Sequence, residues 1–197
     1  MIKVIIFDAD GVLINGVKFS VALERDYGIS TEKTLPFFVG PFRDCLVGRT
    51  DLKEVISSYL IEWGWTEGAD TLLDYWFKTE HNIDQKLVQY IQELRNKGIL
   101  CFLATDNEKY RFDYMLNKMG FSENFDKTYA SSHLGCKKTN QSFFLKIFEE
   151  LKNIKKNEIL FIDDSRENIE SAKNFGIHAE LYTTLKRFKE KIDLLYN

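Results

Sequence analysis

Lys3-Val4-Ile5-Ile6-Phe7 is a short apolar, β-branched run that stops abruptly at Asp8-Ala9-Asp10-Gly11. An unbroken apolar run closed by a turn is the pattern of a strand buried on both faces. Runs of the same kind recur at Ile99 to Ala104 and Ile159 to Ile162, and more weakly at Lys127 to Ala130 and His178 to Tyr182. Helical patterns lie between them. Leu87, Ile91 and Leu94 share one face before Gly98; Phe112, Met115 and Met119 share another before Gly120. Phe144, Ile147, Phe148 and Leu151 form a third face, and Ile169, Ala172 and Phe175 a fourth before Gly176. A glycine just past a helix end is expected where the chain turns through positive φ. Apolar strands alternating with amphipathic helices predict an α/β domain with a parallel sheet covered on both faces.

Residues 16 to 82 interrupt this alternation. They hold no convincing strand, but Leu52, Val55, Ile56, Tyr59, Leu60 and Trp63 keep one helical periodicity, and Leu72, Leu73, Trp76 and Phe77 repeat it. The expected organisation is therefore a core of residues 1–15 and 83–197 with a helical insertion, 16–82. Trp63, Trp65 and Trp76, the three tryptophans of the chain, all fall in the insertion and are expected to build its core. One of them is also a candidate floor for a sugar-binding cleft.

Charge and composition narrow the partners. The 197 residues carry a net charge of −3, and the insertion has 7 Lys+Arg against 11 Asp+Glu. Neither supplies the basic field that recruits nucleic acid or an anionic membrane surface. No apolar run approaches the ~20 residues of a membrane span, and Asp8 and Asp10 fall where a signal peptide is still apolar. A cytoplasmic protein is expected, with Cys45, Cys101 and Cys136 reduced and structural, since they form neither a disulfide framework nor a zinc set. The lysine-rich stretches Lys152 to Lys156 and Lys186 to Lys191 read as solvated helix faces and ends. Oligomeric state leaves no mark in the sequence.

In an open parallel sheet, ligands bind beyond the carboxyl ends of the strands. The residues found there are Asp8 and Asp10 after the first strand, Thr105-Asp106-Asn107 after the second long run, and Asp163-Asp164 after the Ile159 run. Lys138 joins them from the Gly135-Cys136-Lys137-Lys138 turn. So many carboxylates resist ionisation together unless cations sit among them. Hard oxygen ligands from some of these carboxylates, completed by waters and a phosphate, suit Mg²⁺, whereas zinc would want histidine or cysteine, and His81, His133 and His178 show no ligand spacing. An oxygen nucleophile, a cation, an ammonium and a hydroxyl are the parts of phosphoryl transfer.

The motif Asp8-Ala9-Asp10-Gly11-Val12-Leu13 resembles the first motif of the haloacid dehalogenase-like hydrolase superfamily. Thr105, Lys138 and Phe161-Ile162-Asp163-Asp164-Ser165-Arg166-Glu167-Asn168-Ile169 resemble the other three, in order and across essentially the whole chain. The resemblance implies a Rossmann-like core with an inserted α-helical cap, in the place where the first subfamily carries one. It implies that Asp8 is the nucleophile that forms an aspartyl-phosphate, and that Asp10 is the general acid and base. Thr105 and the amide of Asp106 would hold phosphoryl oxygens, and Lys138 would neutralise Asp8 and the phosphate. Mg²⁺ would be held by Asp8, the Asp10 carbonyl and Asp164, with Asp163 either a ligand or a brace.

The Gly-x-x-Lys spacing from Gly135 favours Lys138 over Lys137. Thr139 stands where the family usually has proline and is a candidate helix cap. Asp106 stands where asparagine is common, and its side chain is expected to turn away from the phosphate. True dehalogenases replace the second acid and need no metal, so Asp10 argues for phosphate chemistry.

The expected activity is a Mg²⁺-dependent phosphatase acting on a small phosphorylated molecule, with a layout most like that of sugar-phosphate phosphatases. Its alternatives are a phosphosugar mutase of the β-phosphoglucomutase kind and a catalytically idle binding protein on the same fold. Arg43 and Arg49 could reach a substrate, although most exposed arginines are simply solvated. His81 and His133 read as surface or hinge residues.

Overall fold

A computed structural model describes residues 1–196; Asn197, the end of the expected core, lies outside the described residues. Five strands form one parallel sheet: β1 (Val4–Phe7), β2 (Leu100–Thr105), β3 (Lys127–Ala130), β4 (Ile159–Asp163) and β5 (His178–Leu181). Their order across the sheet is β3-β2-β1-β4-β5. The chain winds from β1 toward β2 and β3, then crosses back to β4 and β5. The order therefore reverses beside β1, the place where an open α/β sheet leaves a crevice for a ligand.

β1 is buried along its whole length, which is why it reads as a continuous apolar run. Its side chains alternate between two cores. Ile5 and Phe7 join Leu87, Ile91, Leu103, Phe112 and Phe188 on one face, while Val4 and Ile6 join Phe102, Phe144, Phe161 and Phe175 on the other. The helices that cover the sheet include Gln85–Asn96, Lys109–Asn117, Gln141–Glu149, Arg166–Phe175 and Leu185–Tyr196. Gly98, Gly120 and Gly176 all have positive φ just beyond helix ends, as the spacing predicts.

Between β1 and Gln85 the described chain is helical, from Phe19–Tyr27 to Ala69–Thr79, with a core of its own. Trp63, Trp65 and Trp76 are buried in that core, and Phe19 stacks on Trp76 at 4.5 Å. The two connections to the sheet run side by side. Ile14 and Ile83 form an antiparallel bridge, Asn15 donates to the Asn82 carbonyl, and a Cβ on Gly16 would come within 2.4 Å of the Glu80 carbonyl oxygen.

Three local expectations change. The periodicity from Leu52 to Trp63 divides into helices Leu52–Ser57 and Leu60–Trp63. The Ser57 and Ser58 hydroxyls donate to the Lys53 and Val55 carbonyls at 2.5 and 2.7 Å, and the amides of Ser58 and Tyr59 tighten to residues three back. The cap of helix Gln141–Glu149 is Asn140 rather than Thr139, and a short helix, Ser131–Leu134, intervenes after β3. Lys156 is not on a solvated helix face. Its ammonium donates to the Phe175 carbonyl at 2.6 Å and lies 3.6 Å from the centre of the Phe175 ring, closing the end of helix Arg166–Phe175. Among the described residues, no helix is long and apolar enough to cross a membrane.

Candidate active site

The expected site residues converge because β1, β2 and β4 are neighbours and parallel, so their carboxyl ends face one way. Asp8 follows β1 and is 5 % exposed; Asp163 ends β4 and is fully buried. The Lys138 ammonium, itself 2 % exposed, bonds Asp8 Oδ1 and lies 2.7 Å from Asp163 Oδ2. Lys137 is half-buried, with its charge near Asp106 instead.

Asp163 accepts from several donors besides Lys138. The Ser165 amide reaches Oδ1 at 2.7 Å, and the Asn168 side chain reaches both oxygens at 3.1 and 3.2 Å. Asp106 turns from the strand end to accept the Lys138 amide at 3.0 Å, which tethers the lysine loop to β2. Thr105 is buried, and its hydroxyl accepts from the Asn107 amide at 2.7 Å.

The electrostatics reflect crowding. Burial pushes the Asp8 carboxyl well up, Lys138 pulls it down, and Asp163 and Asp10 push it further up. Asp164 is also raised, first by desolvation and then by Asp163. For Lys138, burial works against the charge, but Asp8, Asp163 and Asp106 outweigh it and hold the ammonium above its usual range. One ammonium thus faces several carboxylates.

Asp8, Asp163 and Asp164 each bring a carboxylate oxygen to within 4.8 Å of the others. An all-oxygen donor set with no nitrogen or sulfur fits a hard divalent cation such as Mg²⁺. Gly11 allows the approach on the Asp164 side: with φ +84°, it leaves a space in which a Cβ would stand 2.1 Å from Asp164 Oδ2.

Asp10 lies at the mouth, its side chain half open. Beyond it a cleft of about 480 Å³ runs between the strand ends and the inserted helices, bordered by Asp10, Asn15, Lys18, Phe42, Leu46 and Trp76. Trp76 therefore serves the inserted core and the cleft wall together. Neither Arg43 nor Arg49 borders this cleft. Arg43 is exposed, and Arg49 pairs with Asp44 at 3.2 Å over a separate hollow. His81 bonds the Tyr114 hydroxyl at 3.0 Å in the linker, and the exposed His133 stands against Phe112.

Sequence reasoning placed Asn107 at the strand ends without a role and missed Arg111 and Glu80. Asn107 donates to Asp10 Oδ2 at 2.7 Å, Arg111 reaches Asp10 Oδ1 at 3.3 Å, and Glu80 lies 3.2 Å from Arg111. The Asn107 position beside Thr105 was a usable signal. Arg111 and Glu80 carried none, because only the fold brings them to Asp10.

A family model for haloacid dehalogenase-like hydrolases matches residues 5–181. The chain belongs to that family. It is an enzyme family, and the matched span includes every residue assembled above. A phosphoglycolate phosphatase of Vibrio parahaemolyticus is 27 % identical over 185 residues, covering 89 % of this chain and 81 % of its own. A HAD-like hydrolase structure from Porphyromonas gingivalis superposes with a TM-score of 0.81 at 25 % identity, covering 100 % of this chain and 98 % of its own. A HAD family enzyme of Bacteroides thetaiotaomicron, solved with magnesium and inorganic phosphate, shares the fold at a TM-score of 0.76 and 21 % identity, covering 93 % of this chain and 95 % of its own.

Proposed function

We propose that the chain is a Mg²⁺-dependent phosphatase that hydrolyses a small phosphomonoester, a sugar phosphate or similar polar molecule, through an aspartyl-phosphate. The observation that carries this reading is the buried Asp8–Lys138–Asp163 cluster beside Asp164, with Asp10 facing the cleft. The Vibrio relative's name and the magnesium and phosphate of the Bacteroides enzyme support the same class. Residues 1–15 and 83–197 are the core domain and 16–82 the cap. A cytoplasmic setting is part of the same proposal, and the free thiols of Cys45, Cys101 and Cys136 accord with a reducing compartment.

Asp8 attacks phosphorus: an Asp8 oxygen–phosphorus bond forms as the ester bond breaks, and Asp10 gives its proton to the departing oxygen. Asp10 then takes a proton from water as the water oxygen bonds phosphorus and the Asp8 bond breaks, releasing orthophosphate. The Thr105 hydroxyl, the Asp106 amide and Lys138 hold the phosphoryl oxygens through both steps. Asp8, Asp164 and the Asp10 carbonyl, with Asp163 beside them, would hold Mg²⁺, which would supply positive charge to a dianionic group among carboxylates. The cap excludes water and shapes the leaving-group side of the cleft.

The test is phosphate release from sugar phosphates, nucleotides and an aryl phosphate, with and without Mg²⁺, with Asp8→Asn as the blank. Metal-dependent release that vanishes in Asp8→Asn is expected. Isomerisation of a sugar phosphate without release would reassign the protein as a mutase, and silence across the panel would reassign it as a binding protein.

A further inference from the structure

Arg111 stands in the first turns of helix Lys109–Asn117, and its side chain is only 3 % exposed. A guanidinium does not shed its charge, so burying one is costly unless acceptors surround it. The acceptors come from two parts of the chain. Glu80 Oε2 at 3.2 Å and the Phe77 carbonyl at 3.4 Å belong to the end of the last inserted helix, and Asp10 Oδ1 at 3.3 Å belongs to the loop after β1. The Phe77 ring lies under the guanidinium, 5.7 Å from its carbon. Glu80 is fixed in turn, since its other oxygen accepts the Phe19 amide at 3.0 Å, at the start of the first inserted helix. Asp10, with 48 % of its side chain exposed, is thus gripped by Arg111 on one oxygen and by Asn107 at 2.7 Å on the other.

We infer that Arg111 is a positioning residue that aims the Asp10 carboxyl at the leaving-group oxygen, and that Glu80 ties this aim to the seated inserted helices. The inference rests on the phosphatase reading above. Only a side chain with donors splayed in a fixed fork serves Asp10, Glu80 and a carbonyl together; an ammonium on a flexible stem does not hold the same three directions. Removing the insertion from its seat takes away two of the three acceptors that fix the direction of the arginine and leaves it to swing with Asp10. Proton donation is therefore available when the insertion covers the cleft and weakened when it does not.

The readout is leaving-group dependence, which a merely structural role does not move selectively. p-Nitrophenolate departs without a proton, whereas the alkoxide of a sugar phosphate needs one, and kcat/KM reports the steps through ester cleavage. Arg111→Met is expected to lower kcat/KM about 100-fold for the best sugar phosphate but less than about 5-fold for p-nitrophenyl phosphate, the same split as Asp10→Asn. Arg111→Lys and Glu80→Gln should show a weaker split in the same direction, about 10-fold for the sugar phosphate. Equal losses on both esters, or none on either, overturn the inference while leaving the phosphatase reading intact. Should Arg111→Met fail to fold, Arg111→Lys decides on the same criterion. A wild type silent on both esters overturns the phosphatase reading, and the inference falls with it.

Discussion

At the carboxyl ends of β1 and β4, order depends on single atoms. Asp163 takes donors from Lys138, Ser165 and Asn168, Lys138 faces two buried carboxylates, and Gly11 leaves room for Asp164. In the inserted segment, order comes from rings in bulk. Phe37 packs on Phe38, Phe42, Tyr59 and Trp63 within 5.5 Å, and Trp76 meets Phe19, Phe38 and Phe42 over similar distances. The burial these rings supply is non-directional and shared among many contacts, so one lost atom there is diluted. A lost charge at the strand ends is not, because its partner stays buried without compensation.

The sharpest test of this contrast is Lys138→Ala against Lys137→Ala. The first strands Asp8 and Asp163 and should destabilise the protein by about 3–5 kcal/mol in urea unfolding, while the second should stay within about 0.5 kcal/mol. Equal effects would break the comparison at its centre.

The seam between the two regions offers a pH test. Glu108, buried at the start of helix Lys109–Asn117, is pushed up to about 7 by desolvation, against the pull of the Tyr110 and Arg111 amides it accepts. Its folded pKa lies above the ordinary 4.5, so its contribution is fully present below that value and is lost as pH rises through about 7. Stability should fall by an amount on the order of 3 kcal/mol between those limits. The decline should flatten in Glu108→Gln, as read by melts across the range, and an unchanged slope would remove Glu108 as its source.

Gly11→Ala places a methyl at positive φ against Asp164 and should cost about 1–3 kcal/mol. It should also raise the Mg²⁺ concentration needed for half-maximal phosphate release. An unaltered metal requirement would show that Asp164 yields freely.

The smallest effect belongs to the rings. Trp63→Phe removes volume from the inserted core but also a buried indole N–H that has no hydrogen-bond partner. The two terms oppose, and the net change should stay within about 1 kcal/mol by thermal unfolding. A loss comparable to that of Lys138→Ala would show that the insertion, too, depends on single groups.

Legibility in the sequence follows the same division. All five strands were readable because parallel strands buried on both faces must be short apolar runs, and the acidic residues that end them stand next to those runs in the chain. Asp8, Asp10, Thr105, Asp106, Asp163 and Asp164 were therefore visible as candidates, and Lys138 by its spacing from Gly135. The break at Ser58 was hidden, because hydroxyl competition for helix carbonyls does not disturb the apolar periodicity.

Burial and short-range chain geometry set the α/β alternation, the helical stretch after β1 and the acidic strand ends, and these are written in the order of residues. Folding alone brings Arg111 to Asp10 across 101 positions and Asn107 to it across 97, and sets Glu80 and Trp76 on the border of one cleft. A buried cation is tolerable only where the fold gathers acceptors around it, and those acceptors come from segments whose meeting no local pattern records.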